Sequence, residues 1–149
     1  MEILRTARLS LRTWRQEDIA DLVRLSEDPA VHELLPGPWT AEKARVLVDT
    51  QDGLYERHGT CYFAAALRDS GALAGFVGLK YQDFDQPFAP CYELGWLLGR
   101  RYWERGYASE GVRAGIAHPA LPPGHRLSRH VLYRIRRAQA FARRRRVAE

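Results

Sequence analysis

Gly99 to Glu110 combine the residue types of an anion-binding turn: Gly99-Arg100-Arg101-Tyr102-Trp103-Glu104-Arg105-Gly106-Tyr107-Ala108-Ser109-Glu110. An alternating apolar stretch precedes them, and a helical pattern begins near Gly106. The first N–H groups of a helix lack internal partners and carry the positive end of its dipole. Such an end can hold an anion, a pyrophosphate in particular. Gly106 and Ala108 would let a ligand approach the backbone, and Arg105 would add positive charge. The pattern is not the dinucleotide fingerprint, which needs G-x-G-x-x-G early in a βαβ unit. Nor is it a phosphate loop of the Gly-Lys-Ser/Thr type, because that tripeptide does not occur. The plain alternative is a tight strand-to-helix turn with no ligand, and the turn alone does not decide between the two.

The elements that must position this turn are legible in the periodicity. Leu9 and Leu11 alternate with Ser10 and Arg12, so residues 4–13 read as one half-buried strand. Thr13 and Gln16 have capping-box spacing. Ile19, Leu22 and Val23 then give a helix over 15–27, stopped at Asp28-Pro29. Thr40 caps a second helix striped by Ala44, Leu47, Val48, Leu54 and Tyr55, and Gly59 suits its C′ position. Residues 61–68 form a strand with Cys61, Phe63, Ala65 and Leu67 on one face. Asp69-Ser70-Gly71 turns it into a second strand over 73–80. A loop from Tyr81 to Pro90 leads to a third strand over 91–98, with Tyr92, Leu94, Trp96 and Leu98 on one face. This order of elements predicts an α+β fold with a largely antiparallel sheet.

The length of 149 residues suits one domain. The composition, 46% hydrophobic and 28% charged, is that of a globular protein and not of a fibrous or wholly disordered one. No apolar run reaches the roughly 18 residues of a membrane helix, and Met1 to Arg5 do not resemble a signal peptide. A cytoplasmic location is therefore expected. Cys61 and Cys91 have no Cys or His at close ligand spacing, so no metal is expected and both read as packed free thiols. The net charge of +5 is uneven: residues 1–116 sum to −3 and residues 117–149 to +8. A coding sequence rich in G and C would produce the bias of 21 arginines against two lysines, which weakens a purely functional reading of the arginines.

Four segments, taken together, resemble the GNAT superfamily of acyl-CoA N-acyltransferases, most closely its RimJ/RimL-like branch. They are Thr6-Ala7-Arg8-Leu9-Ser10-Leu11-Arg12-Thr13-Trp14 with Asp18, Asp28-Pro29-Ala30-Val31, Glu93 to Leu98, and Tyr102 to Glu110. The resemblance implies a mixed, mostly antiparallel central sheet flanked by helices in α/β/α layers. It implies acetyl-CoA as co-substrate and a primary amine as acceptor, either a protein N-terminus or a small molecule. Trp96, Leu97 and Leu98 would offer backbone partners to the pantetheine arm. Trp103, Glu104, Arg105, Gly106, Tyr107, Ala108 and Ser109 would hold the pyrophosphate, with the Glu104 carboxylate turned outward. Such chemistry rests on positioning and oxyanion stabilisation, with a carboxylate base acting directly or through water. Glu93 is the candidate base, because it starts the strand that would hold the acetyl group. Its plain alternative is a strand-edge ion pair. Trp39, Tyr81, Asp83 and Asp85 lie in loops that would face the acceptor, and otherwise are solvated loop residues.

The resemblance covers about residues 5–118. A domain at 1–118 followed by an Arg-rich segment at 119–149 is therefore expected, with the fold incomplete toward the C-terminus. A reading-frame shift near codon 118, or a truncation, would account for the break. The strand over 91–98 would then keep an unpaired edge, which favours a homodimer. Ser128 and Tyr133 do not stand in the context of the family's general acid and are not given that role. Two rival readings remain: an acyl-CoA-binding remnant without turnover, and a nucleic-acid-binding tail from Arg126 to Arg146. The tail offers only Tyr133 and Phe141 as aromatic platforms, which argues against sequence-tolerant strand binding.

Overall fold

The computed structural model describes residues 1–83, 85 and 90–116. The strands are β1 (Glu2–Arg5), β2 (Leu9–Arg12), β3 (Tyr62–Leu67), β4 (Leu73–Gln82) and β5 (Cys91–Leu98). The helices are α1 (Asp18–Glu27), α2 (Pro29–His32), α3 (Ala41–His58) and α4 (Tyr107–Ile116), with a short 3-10 turn at Arg100–Tyr102. The five strands lie in chain order, and every neighbouring pair is antiparallel.

Strand alternation sends successive side chains to opposite faces, and each face buries its own cluster. On one side Ile19 and Leu22 of α1, Val31 of α2, and Ala44 and Val48 of α3 pack on Ala64, Phe76 and Leu97. On the other, Val112 of α4 packs with Leu9, Leu11, Phe63, Ala65, Val77 and Leu98. The layers are thus α/β/α, and the expected alternation of β3 holds. Thr40 Oγ1 accepts from Lys43 N at 3.2 Å at the start of α3, and Gly59 closes that helix at φ +69°. Cys61 is buried and Cys91 half-buried, and neither is in a disulfide. Burial, reinforced by Asp52, pushes the Cys61 thiol up to about 12, as expected of a packing residue.

Three sequence expectations need correction. The strand expected over 4–13 is two strands joined at Thr6. The Thr6 hydroxyl accepts from Leu9 N at 2.8 Å and Thr6 N donates to Leu9 O at 2.9 Å, so a side chain closes the turn. The capping box at Thr13 and Gln16 does not form, and the helix begins at Asp18 instead of residue 15. Arg12, buried under the helices, must have a carboxylate partner. Asp18 supplies it through two bonds of 2.7 Å and also accepts from Arg15 N at 2.8 Å. Thr13 Oγ1 is left to accept from the Met1 ammonium at 2.7 Å. Finally, β4 runs on to Gln82, so Tyr81 is a strand residue and not part of the following loop. Tyr81 is paired with Tyr92 across the ladder.

The Arg-rich segment, with Ser128 and Tyr133, lies outside the described residues. Among those described, no helix is long and apolar enough to cross a membrane, and no group of three His, Cys, Asp or Glu could hold a metal ion.

Candidate active site

The chain leaves β5 through Gly99, whose N–H donates to Ala74 O at 2.9 Å. Tyr102 is buried, and Trp103 Nε1 donates to Leu98 O at 2.7 Å, which pins the indole over the end of β5. The backbone then takes the left-handed conformation twice, at Glu104 (φ +59°) and at Gly106 (φ +80°). Alternating handedness of this kind turns successive N–H groups toward one side and makes an anion-binding concavity. The first bond of α4 runs from Glu110 N to Gly106 O at 3.0 Å. The N–H groups of Tyr107, Ala108 and Ser109 therefore have no intrahelical partner. Glu104, Arg105 and Gly106 are exposed. A Cβ placed on Gly106 would meet only Arg8 Nη2, at 3.4 Å, so the open side of the turn is lined by a cation. The Arg105 side chain turns back toward Arg101 O, at 3.5 Å.

The β1–β2 turn packs against this loop. Glu110 Oε1 accepts from Thr6 Oγ1 at 2.5 Å and from Arg8 N at 2.7 Å, while Oε2 accepts from Arg8 Nε at 2.7 Å. Arg8 Nη1 donates to Arg105 O at 2.8 Å, and the guanidinium lies 4.1 Å from the centroid of the Tyr107 ring. Partial burial would raise the pKa of Glu110. The hydrogen bonds from Thr6 and Arg8, with the Arg8 charge, outweigh that and hold the carboxyl below its ordinary value. Thr6, Arg8 and Glu110 all stand in the quoted family segments, yet sequence reasoning gave them no role. The distance of about a hundred residues along the chain hides the contact.

Glu93 lies exposed on β5, on the face covered by α1–α3, opposite Lys80 of β4. Gln82 Nε2 donates to its carboxylate, and the Tyr62 hydroxyl hydrogen-bonds it. Burial first, and then the bond and charge of Glu93, push the Tyr62 phenol well above its usual range. Tyr62 therefore keeps its proton and donates. Its backbone is held by Trp14 Nε1 donating to Tyr62 O at 2.8 Å and by Tyr62 N donating to Gln51 Oε1 at 2.9 Å. Its ring crosses Gly95, where a Cβ would stand 2.6 Å from the ring carbon bearing the hydroxyl. Tyr62 stacks on Phe76 (centroids 5.3 Å), and Phe76 on Trp39 (6.4 Å). Trp39 N donates to Ser26 Oγ at 3.1 Å, which fixes its loop.

Of the residues singled out in the sequence, Trp39 and Glu93 are thus brought together through Phe76 and Tyr62. Tyr81 lies on the opposite face, stacked on His58 at 4.2 Å and edge-on to Tyr92 at 5.6 Å. Asp83 and Asp85 are exposed beyond β4. Trp96, Leu97 and Leu98 lie on β5, which among the described residues pairs only with β4. Tyr62, Phe76, Gln82 and Lys80 were missed, since nothing in their spacing marks them as neighbours of Glu93.

The fold fits what comparison shows. The sequence profile of the acetyltransferase (GNAT) domain matches residues 8–142, so the chain belongs to the GNAT acetyltransferase family. The match continues past residue 118, the expected end of the resemblance. Uncharacterized N-acetyltransferase YnaD of Bacillus subtilis (strain 168) is 30% identical over 110 residues, covering 73% of this chain and 60% of the relative. A crystal structure of an acetyltransferase from Agrobacterium tumefaciens C58 superposes with a TM-score of 0.63 at 26% identity, covering 91% of this chain and 82% of that one. RimL, a ribosomal L7/L12 alpha-N-protein acetyltransferase, shares the fold at a TM-score of 0.58 and 20% identity, covering 76% and 61%. The chain spans about 60% of the length of the curated relatives it matches.

Proposed function

We propose that this chain moves an acetyl group from acetyl-CoA to a primary amine. The single observation that carries the reading is the Gly106 turn: two left-handed residues and a helix start, lined by Arg8, at the end of β5 in a GNAT fold. On this reading the N–H groups of residues 106–109 and the turn from Trp103 hold the diphosphate. The edge of β5 at Trp96, Leu97 and Leu98, unpaired among the described residues, meets the pantetheine amides. The thioester then lies toward the Glu93 end of the strand.

Glu93, directly or through a water, takes the proton of the attacking ammonium or amine. The nitrogen lone pair forms the C–N bond at the thioester carbonyl, the C–S bond breaks, and the thiolate leaves to be protonated by solvent. Tyr62 and Gln82 keep the Glu93 carboxylate oriented. Trp39 and the aromatic row behind it flank the acceptor, and Asp83 borders it beyond β4, whereas Tyr81, on the other face of the sheet, takes no part. The acceptor class is a protein N-terminus, as in the RimJ/RimL-like branch, or a small amine.

The test is thiol release from acetyl-CoA against a panel of N-terminal peptides and small amines. Release that depends on an amine supports transfer. Saturable binding without release by any amine points to a binding protein instead, and a folded chain that does not bind acetyl-CoA refutes the reading.

A further inference from the structure

We propose that Glu110 is a positioning residue for the phosphate end of the acyl donor, acting through Arg8 on the turn that binds it. The inference rests on the reading of the Gly106 turn as the diphosphate site. Glu110 uses both carboxylate oxygens, accepting from Thr6 Oγ1, Arg8 N and Arg8 Nε at 2.5–2.7 Å. That leaves Arg8 oriented by two bonds, with Nη1 on Arg105 O and its plane over Tyr107. One guanidinium thus holds the residue before Gly106 and the residue after it.

The consequence for an anion is electrostatic. A carbonyl aimed at a diphosphate repels it, and Arg8 ties the Arg105 carbonyl toward the β1–β2 turn. The N–H groups of the next residues are then free to converge on the open side. The turn needs such outside support, because a left-handed non-glycine residue such as Glu104 carries a backbone penalty that its surroundings must offset. Arg8 Nη2 also reaches within 3.4 Å of where a Gly106 Cβ would stand, so the same residue sets the charge of the open side. A neutral glutamine at 110 has one acceptor oxygen for three donors and would direct its amide at one of them.

The experiment measures CoA and pantetheine binding by ligand-observed NMR titration to the wild type, Glu110→Gln and Arg8→Lys. Arg8→Lys keeps a cation opposite Glu110 but cannot reach Glu110 and Arg105 O together. Both variants should bind CoA about tenfold more weakly. Pantetheine, which lacks the phosphates, should bind within about twofold of wild type, because only the phosphate end is disturbed. Thermal melts check folding, and if Glu110→Gln does not fold, Arg8→Lys decides. Equal CoA affinity in the variants overturns the inference, as does a parallel loss of both ligands, which would mean a general structural strut. A folded wild type that binds neither ligand removes the donor reading itself, and this inference with it.

Discussion

The Gly106 turn and the Glu93 wall lie at opposite ends of β5 and are built by opposite means. The turn offers backbone. Its donors are the start of α4, its shape comes from Glu104 and Gly106, and its neighbours in space are largely its neighbours in sequence. The wall offers side chains. Trp39, Tyr62, Phe76, Lys80, Gln82 and Glu93 come from a loop and three strands and meet only when the sheet is made. On the proposed function, the difference separates binding from chemistry. Backbone donors recognise a charge wherever it is carried, whereas a carboxylate held by a tyrosine and a glutamine can take a proton at one place.

That separation can be broken most sharply at Glu93. Glu93→Gln should lower amine-dependent kcat by about a hundredfold or more while leaving acetyl-CoA affinity within about twofold. Steady-state kinetics beside a binding titration checks this, and a joint loss would mean that the two ends are not separate. Gly106→Glu should do the reverse and weaken acetyl-CoA binding by at least about thirtyfold. It places a side chain at φ +80° and a negative charge at the helix start. Calorimetric titration of the folded variant reads it.

Gly95→Ala probes the wall without touching a charge. The new Cβ would stand 2.6 Å from the Tyr62 ring, so the ring must move. A cost of about 1–3 kcal/mol in stability is expected, with a lower kcat and an unchanged response to CoA. Urea unfolding beside the kinetic assay measures both. The smallest effect concerns the strap at Glu110. Its folded pKa is depressed, so its contribution is complete above the ordinary value of 4.5 and is lost as pH falls through the folded value. The melting temperature of wild type minus that of Glu110→Gln should therefore shrink as pH drops below 4.5. A gap that grows with acid would contradict the assignment.

Local signals were readable wherever a residue acts on its own backbone. Thr40, Gly59 and the turn before α4 are of that kind, because caps and left-handed turns depend on a few adjacent residues. The capping box at Thr13 failed although its spacing was right. The buried Arg12 needed Asp18, and pairing a desolvated cation outweighs a cap of about 1 kcal/mol. The loop expected from Tyr81 begins two residues later, because ladder pairing with β5 keeps Tyr81 and Gln82 extended. Tyr62 is one aromatic residue in an alternating strand, and only the glycine across the sheet at 95 reveals where its ring goes.

By itself, the order of elements along the sequence determined an α+β fold with a largely antiparallel sheet and a candidate anion turn; the α/β/α layers and Glu93 as candidate base came with the family resemblance. Periodicity and short-range turn chemistry are properties of adjacent residues. The tertiary structure alone decided which groups face Glu93, which strap holds the turn, and which face Tyr81 occupies. Those contacts join residues from 11 positions apart, Gln82 with Glu93, to 104 apart, Thr6 with Glu110, and no local pattern encodes them.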